Sequence, residues 1–136
     1  MEIVRFESAE HAEGTQVGVA YELRWRLDGE QLEVELVGAR SKRVELGGCD
    51  FFDLAYSAYF NSLPVWRDDL LRIREPRDYA MRFVDVPGLS ASESRQRYEP
   101  VGRRTIRFSS GSFEATIDFD QDGFVLLYQD LLERVA

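Results

Sequence analysis

From Val17 to Leu27 every second side chain is apolar. Val17, Val19, Tyr21, Leu23, Trp25 and Leu27 alternate with Gly18, Ala20, Glu22, Arg24 and Arg26. A period of two fits a strand with one buried face and excludes an amphipathic helix over this stretch. Asp28-Gly29 follows, a residue pair suited to a type I′ hairpin turn. Closing the chain there pairs Trp25 with Leu32, Leu23 with Val34 and Tyr21 with Leu36. The same register sets Arg24 against Glu33, which attracts, but also Glu22 against Glu35, which repels. The C-terminal half repeats the pattern. A loop at Ser110-Gly111 pairs Phe108 with Phe113, Ile106 with Ala115 and Arg107 with Glu114. A turn at Asp122-Gly123 pairs Phe119 with Leu126 and Ile117 with Tyr128. Further strands are expected at Asp78–Val86, before Pro87-Gly88, and at Ser94–Glu99, before Pro100 and Gly102. Seven or eight antiparallel strands in a meander follow from this spacing.

The stretch from Cys49 to Trp66 has a different texture. Asp50 is a candidate helix N-cap with Asp53 at N3, and Phe51, Phe52, Leu54, Ala55, Tyr56, Ala58, Tyr59 and Phe60 cover nearly every direction around an axis. Such a helix must be buried, and Pro64 is expected to end it. The fold class expected is mainly β (α+β). A single curved antiparallel sheet would form a half-barrel or open barrel around one apolar helix at about residues 50–62. The 136 residues suffice for one domain with its own core.

Charge and cysteine usage remove several functions. Lys and Arg number 17 against 25 Asp and Glu, a formal charge of −8, which opposes the phosphate neutralisation that nucleic-acid binding requires. The lone Cys49 cannot form an internal disulfide, so a reducing compartment is expected. The opening MEIVRFESAEHAEG holds no signal-peptide core, and no run approaches the roughly 18 apolar residues of a membrane helix. A cytoplasmic protein with no membrane span is the expectation.

No catalytic, metal or cofactor site stands out. Asp118-Phe119-Asp120-Gln121-Asp122-Gly123 reads like the start of a calcium loop. Its twelfth position, however, is Gln129, and its flanks alternate like strands, so it is read as a hairpin turn. Cys49 and His11 are one thiol and one imidazole, too few for zinc and ill-placed for a nucleophilic dyad. The carboxylates fall at turns and on polar strand faces. Most arginines (Arg24, Arg26, Arg82, Arg95, Arg97, Arg104 and Arg107) are expected to pair with these acids across strands. Arg67, directly after Pro64-Val65-Trp66, is the candidate for a polar head group.

From Asn61 onward the chain resembles the bacterial family of putative glycolipid-binding proteins. The matching pieces are Asn61-Ser62-Leu63-Pro64-Val65 with Arg67, then Val84-Asp85-Val86-Pro87-Gly88-Leu89, then Ser94-Arg95-Gln96-Arg97-Tyr98. The run Ile106–Phe113 follows in order, then Asp118, Asp122-Gly123-Phe124-Val125 and Tyr128. Before Asn61 the likeness is thinner, reduced to the strand pair Tyr21–Val37 and Cys49-Asp50, and the domain is expected to be shortened on its N-terminal side.

The resemblance implies a lipoprotein-carrier-like half-barrel with an apolar interior. The function expected is non-enzymatic binding of a lipid or glycolipid-like amphiphile. Its tail would lie against Tyr21, Leu23, Trp25, Tyr59, Phe60, Phe108 and Phe113, with polar anchors at Asn61, Arg67, Gln96, Tyr98 and Tyr128. The alternatives are an enzyme, a hydrolase or lyase using Asp or Glu with Tyr98 or Tyr128, and a structural protein that forms a homodimer through an edge strand. In the last case the same aromatic residues simply pack one another.

Overall fold

The computed structural model describes residues 2–8, 11–17, 21–55 and 57–128. The chain is mostly β, and among the described residues its strands form two sheets. The first is an antiparallel meander of five strands, β1 (Glu2–Ser8), β2 (His11–Val17), β3 (Glu22–Asp28), β4 (Gln31–Leu36) and β5 (Arg40–Glu45). The chain then forms β6 (Phe51–Leu54), two helices, α1 (Tyr59–Asp68) and α2 (Leu70–Ile73), and a second run of strands. These are β7 (Arg77–Val84), β8 (Ala91–Pro100), β9 (Thr105–Ser110), β10 (Phe113–Phe119) and β11 (Val125–Tyr128). They curl into a half-barrel in the order β11-β10-β9-β8-β7-β6.

The half-barrel and the buried aromatic helix agree with the sequence, but the expected single sheet is divided. The division falls after β5, whose only buried side chain is Val44. A strand with charged residues on both faces closes a sheet instead of continuing it. On the other side, among the described residues, β6 pairs only with β7, and does so in parallel, Asp53 lying beside Phe83.

The expected helix also moves. Residues 51–54 are strand, and α1 starts at Tyr59; Tyr56, counted in the expected helix, lies outside the described residues. A short run that is apolar all round satisfies a helix or a strand covered on both faces equally well. Here Phe52 and Leu54 enter one core while Phe51 and Asp53 face the other way. Asp50 does not cap a helix. Its N–H donates to Ala80 O at 2.7 Å and its Oδ2 accepts the Ala80 N–H at 2.9 Å, which starts the parallel ladder. Pro64 lies inside α1 instead of ending it, flanked by the buried Leu63 and Val65. Packing on both sides of the proline offsets the hydrogen bond that its ring removes. The α1 N-terminus is served from a distance. Glu2 of β1 accepts from the Ser57 hydroxyl and from the backbone N–H groups of Ala58 and Tyr59, and burial raises its carboxyl above the ordinary range.

Both hairpins close one residue later than expected. Leu27 pairs with Leu32, Trp25 with Val34 and Leu23 with Leu36; likewise Ser110 pairs with Phe113 and Phe108 with Ala115. Gly29 (φ 60°) and Gly111 (φ 59°) thus occupy the first central position, the glycine site of a type II′ turn. The shift keeps every apolar residue on its face and improves the other face, where Arg24 now lies opposite Glu35 and Arg26 opposite Glu33. At the last turn Ile117 pairs with Tyr128 as expected, but a bulge moves Phe119 to Val125. Residues 18–20, part of the expected first strand, and Gln129 lie outside the described residues.

Two buried clusters result. One joins the apolar face of the first sheet (Leu23, Trp25, Leu27, Leu32, Val34) to Phe52, Leu54, Tyr59, Phe60 and Leu63. The other fills the half-barrel with Val65, Leu70, Tyr79, Met81, Tyr98, Ile106, Phe108, Ala115, Ile117 and Phe119. Helix α1 contributes to both, so it is the wedge between the sheets.

Candidate functional site

The motifs that carry the resemblance meet where α1 enters the half-barrel. Asn61 Nδ2 donates to the Tyr98 hydroxyl at 3.1 Å, and Gln96 Nε2 donates to Asp53 Oδ2 at 2.7 Å. Tyr98 has no exposed surface, and burial together with the nearby Asp53 pushes its hydroxyl far above the ordinary range. Burial likewise raises the Asp53 carboxyl, against the lowering effect of the Gln96 hydrogen bond. Ile106, Ala115 and Ile117 are also fully buried, so the middle of the concave face is occupied by its own side chains.

The sequence-predicted site residues therefore scatter. Leu23, Trp25, Tyr59 and Phe60 pack in the first core, with Trp25 in tilted ring contact with Tyr59 (5.2 Å) and Phe60 (4.9 Å), and Tyr21 lies partly buried against them. Phe108 and Phe113 contact each other at 5.8 Å on the half-barrel. Asn61, Gln96 and Tyr98 form the polar links just described. Tyr128 ends β11, and its side chain lies outside the described residues. Arg67 stands apart from all of them.

Arg67 lies on the rim of a cavity of about 390 Å³ between the two sheets. Its wall is made by Leu27, Gly29 and Glu30 from the β3–β4 turn, Leu46 after β5, Asp50, Phe51 and Phe52 at the start of β6, and Leu63, Trp66 and Arg67 from α1. Most of that lining is apolar, and the volume falls at the small end of ordinary ligand pockets. A larger concavity of about 700 Å³ runs along the solvent face of the first sheet, but it is lined by Arg24, Arg26, Glu33, Glu35, Lys42 and Arg43. There Arg26 and Arg43 both bind Glu33, at 3.2 and 3.0 Å, as a solvated charge lattice does.

The polar end of the cavity is held firmly. Arg67 Nε and Nη2 each donate to Asp68 at 3.1 Å, and Nη1 lies 3.9 Å from Asp50. The guanidinium stands 4.4 Å from the Phe51 ring centroid and 5.7 Å from that of Tyr79. Tyr79 donates its hydroxyl to Asp68 at 2.6 Å. The Arg67 hydrogen bond holds the Asp68 carboxyl below the ordinary range, and Asp68 in turn raises Arg67.

The calcium-like motif is a turn, and it seats a cavity residue. Asp120 Oδ1 accepts the N–H groups of Asp122 (2.9 Å) and Phe124 (3.0 Å), closing the loop between β10 and β11. Trp66 Nε1 donates to Asp122 O at 2.8 Å, and its ring meets Phe124 edge-on at 5.0 Å. A Cβ on Gly123 would lie 2.6 Å from that indole nitrogen. The spacing of the three aspartates was legible, but the long-range contact to Trp66 had no signal in the sequence.

The arginines meet the expectation of cross-strand acid pairing only in part: Arg26, Arg97 and Arg107 reach acids across a ladder, Arg24 and Arg95 meet Glu22 and Glu93 on their own strands, and Arg82 donates to the Leu46 and Gly47 carbonyls. Arg97 bonds Asp78 at 3.1 Å, Arg95 bonds Glu93 at 3.0 Å, and Arg107 lies 3.6 Å from Glu99. His11 starts β2, with Nδ1 3.0 Å from Asp28, and the buried Cys49 Sγ lies 3.9 Å from Glu93. Among the described residues no three His, Cys, Asp or Glu side chains converge as metal ligands, and no helix is long and apolar enough to cross a membrane.

Comparison with known proteins bears on the whole chain. No curated protein matches it. A solved structure of a DUF1089 family protein from Pseudomonas aeruginosa is similar in fold, with a TM-score of 0.70 at 19% identity, over 96% of this chain and 89% of that one. The model of the family described as "Putative glycolipid-binding" matches residues 3–134, which takes in the first sheet, where the motif resemblance was thin. The chain belongs to that family.

Proposed function

We propose that the protein binds a single-chain amphiphile, a lipid or glycolipid-like molecule, in the cavity between the sheets. The observation that carries this reading is an apolar space of about 390 Å³ with one guanidinium fixed at its rim. The tail would lie against Leu27, Leu46, Phe52, Leu63 and Trp66, with the head at Arg67. The family description supports a lipid-like ligand. The concave face of the half-barrel supports it less well, because Tyr98, Ile106 and Ile117 already fill that face.

Titration calorimetry with hexyl and octyl glucoside below their micelle concentrations tests the reading. Each buried methylene contributes about 0.8 kcal/mol, so two of them should tighten binding roughly tenfold. Leu46→Trp, which fills the cavity from a half-buried position, should abolish binding while leaving the circular dichroism spectrum intact. Equal affinity for the two tails, or unchanged binding to Leu46→Trp, would place the ligand elsewhere.

A further inference from the structure

The head-group end of the cavity carries more acid than base. Among the described residues Arg67 is the sole cation in the lining, which also contains Glu30 and Asp50, while Asp68 holds its Nε and Nη2 atoms. The remaining terminal nitrogen, Nη1, points toward Asp50 at 3.9 Å. An anionic head group would therefore have to compete with Asp68 or Asp50 for the guanidinium, in a lining that carries two carboxylates of its own. Like charges cost more in a half-buried cleft than in bulk water, because the surroundings screen them less. A hydroxyl-bearing head group meets no such cost. It donates to Glu30 or Asp50 and accepts from Nη1, as polar groups at a pocket mouth must if binding is not to leave them unpaired.

We infer that Glu30, Asp50 and Asp68 are specificity-determining residues that reject anionic amphiphiles, such as fatty-acid carboxylates and lipid phosphates, and admit an uncharged, hydroxyl-rich head group. This rests on the cavity being the amphiphile site.

The test compares two ligands with the same tail, octyl glucoside and octyl sulfate, by calorimetry at low salt. The glucoside is expected to bind at least tenfold more tightly. Glu30→Gln, on the exposed β3–β4 turn, should narrow that preference severalfold without affecting the melting temperature. Asp50→Asn should narrow it further, since its amide oxygen still accepts the Ala80 N–H. Raising the salt concentration should narrow it in the unmodified protein as well. Equal or tighter binding of octyl sulfate would overturn the inference while leaving the cavity as the amphiphile site. A preference that all three changes leave intact would overturn it too. Binding of neither ligand would overturn the amphiphile reading and this inference together.

Discussion

Arg67 and Asp68 are neighbours in sequence and form a two-pronged ion pair, both nitrogen–oxygen distances being 3.1 Å. Adjacent residues on a helix normally point in different directions. Here the last turn of α1 ends on Asp69 in the left-handed region (φ 51°), and Tyr79 from β7 holds the second carboxylate oxygen at 2.6 Å. The pair fixes the guanidinium over Phe51 and so fixes one edge of the cavity.

Asp68 predicts an acid-side loss of stability. Its folded-state pKa is lowered by Arg67, so its contribution is present above the ordinary carboxylate value and disappears as pH falls through the lowered one. Urea unfolding at neutral pH and near pH 3 should show this loss in the unmodified protein. In Asp68→Asn the loss should be smaller, with lower stability at neutral pH.

Asp53 has the opposite sign. Burial raises its folded-state pKa, so the native state retains a proton that the unfolded chain has released. That contribution is complete below the ordinary value and declines as pH rises through the raised one. Glu2 acts in the same direction. Asp53→Asn keeps an acceptor for Gln96 and cannot ionise, so its stability relative to the unmodified protein should increase as pH rises through this window. A constant difference between the two proteins would show that Asp53 titrates as an exposed carboxylate does.

Gly14 faces Trp25 across the β2–β3 ladder, and a Cβ there would fall 2.5 Å from the indole ring. Trp25 is 3% exposed and packed against the Tyr59 and Phe60 rings, so it has little room to yield. Gly14→Ala should cost about 1–3 kcal/mol, the usual range for overpacking. Tryptophan emission should shift to the red in chemical denaturation at a lower midpoint.

Ser62 is fully buried in α1, and its hydroxyl has no hydrogen-bond partner among the described residues. An unpaired buried hydroxyl costs roughly 1–3 kcal/mol, so removing it should help. Ser62→Ala is expected to raise the unfolding free energy by about 1 kcal/mol, read from the urea midpoint at unchanged slope.

What the sequence revealed depended on the size of the buried side chains. β3, β4, β9 and β10 bury large apolar residues at alternate positions, and their pairing partners were legible to within one turn position. β2 was not legible, because its buried face is Ala12, Gly14 and Gln16, small or polar residues, with Gly14 beneath the ring of Trp25. β5 offered only Val44. β6 was hidden by Phe51-Phe52, which reads as helix until the parallel partner β7, more than twenty residues later in the chain, is in place. The cavity shares that difficulty. Arg67 was legible as the exceptional arginine, but Leu27, Leu46 and Phe52 join it only through long-range docking.

The two sheets share no hydrogen-bonded strand among the described residues, and the chain passes from one to the other through Gly47 and Gly48, both at positive φ. The cavity is thus a joint between two separately laddered bodies, and whatever fills it acts as a pin. A ligand present at a hundredfold excess over its dissociation constant holds such a joint closed by about 2.7 kcal/mol. Occupancy would then be felt in the cavity wall itself, as slower amide exchange along the β3–β4 turn and at Leu46, where one body meets the other.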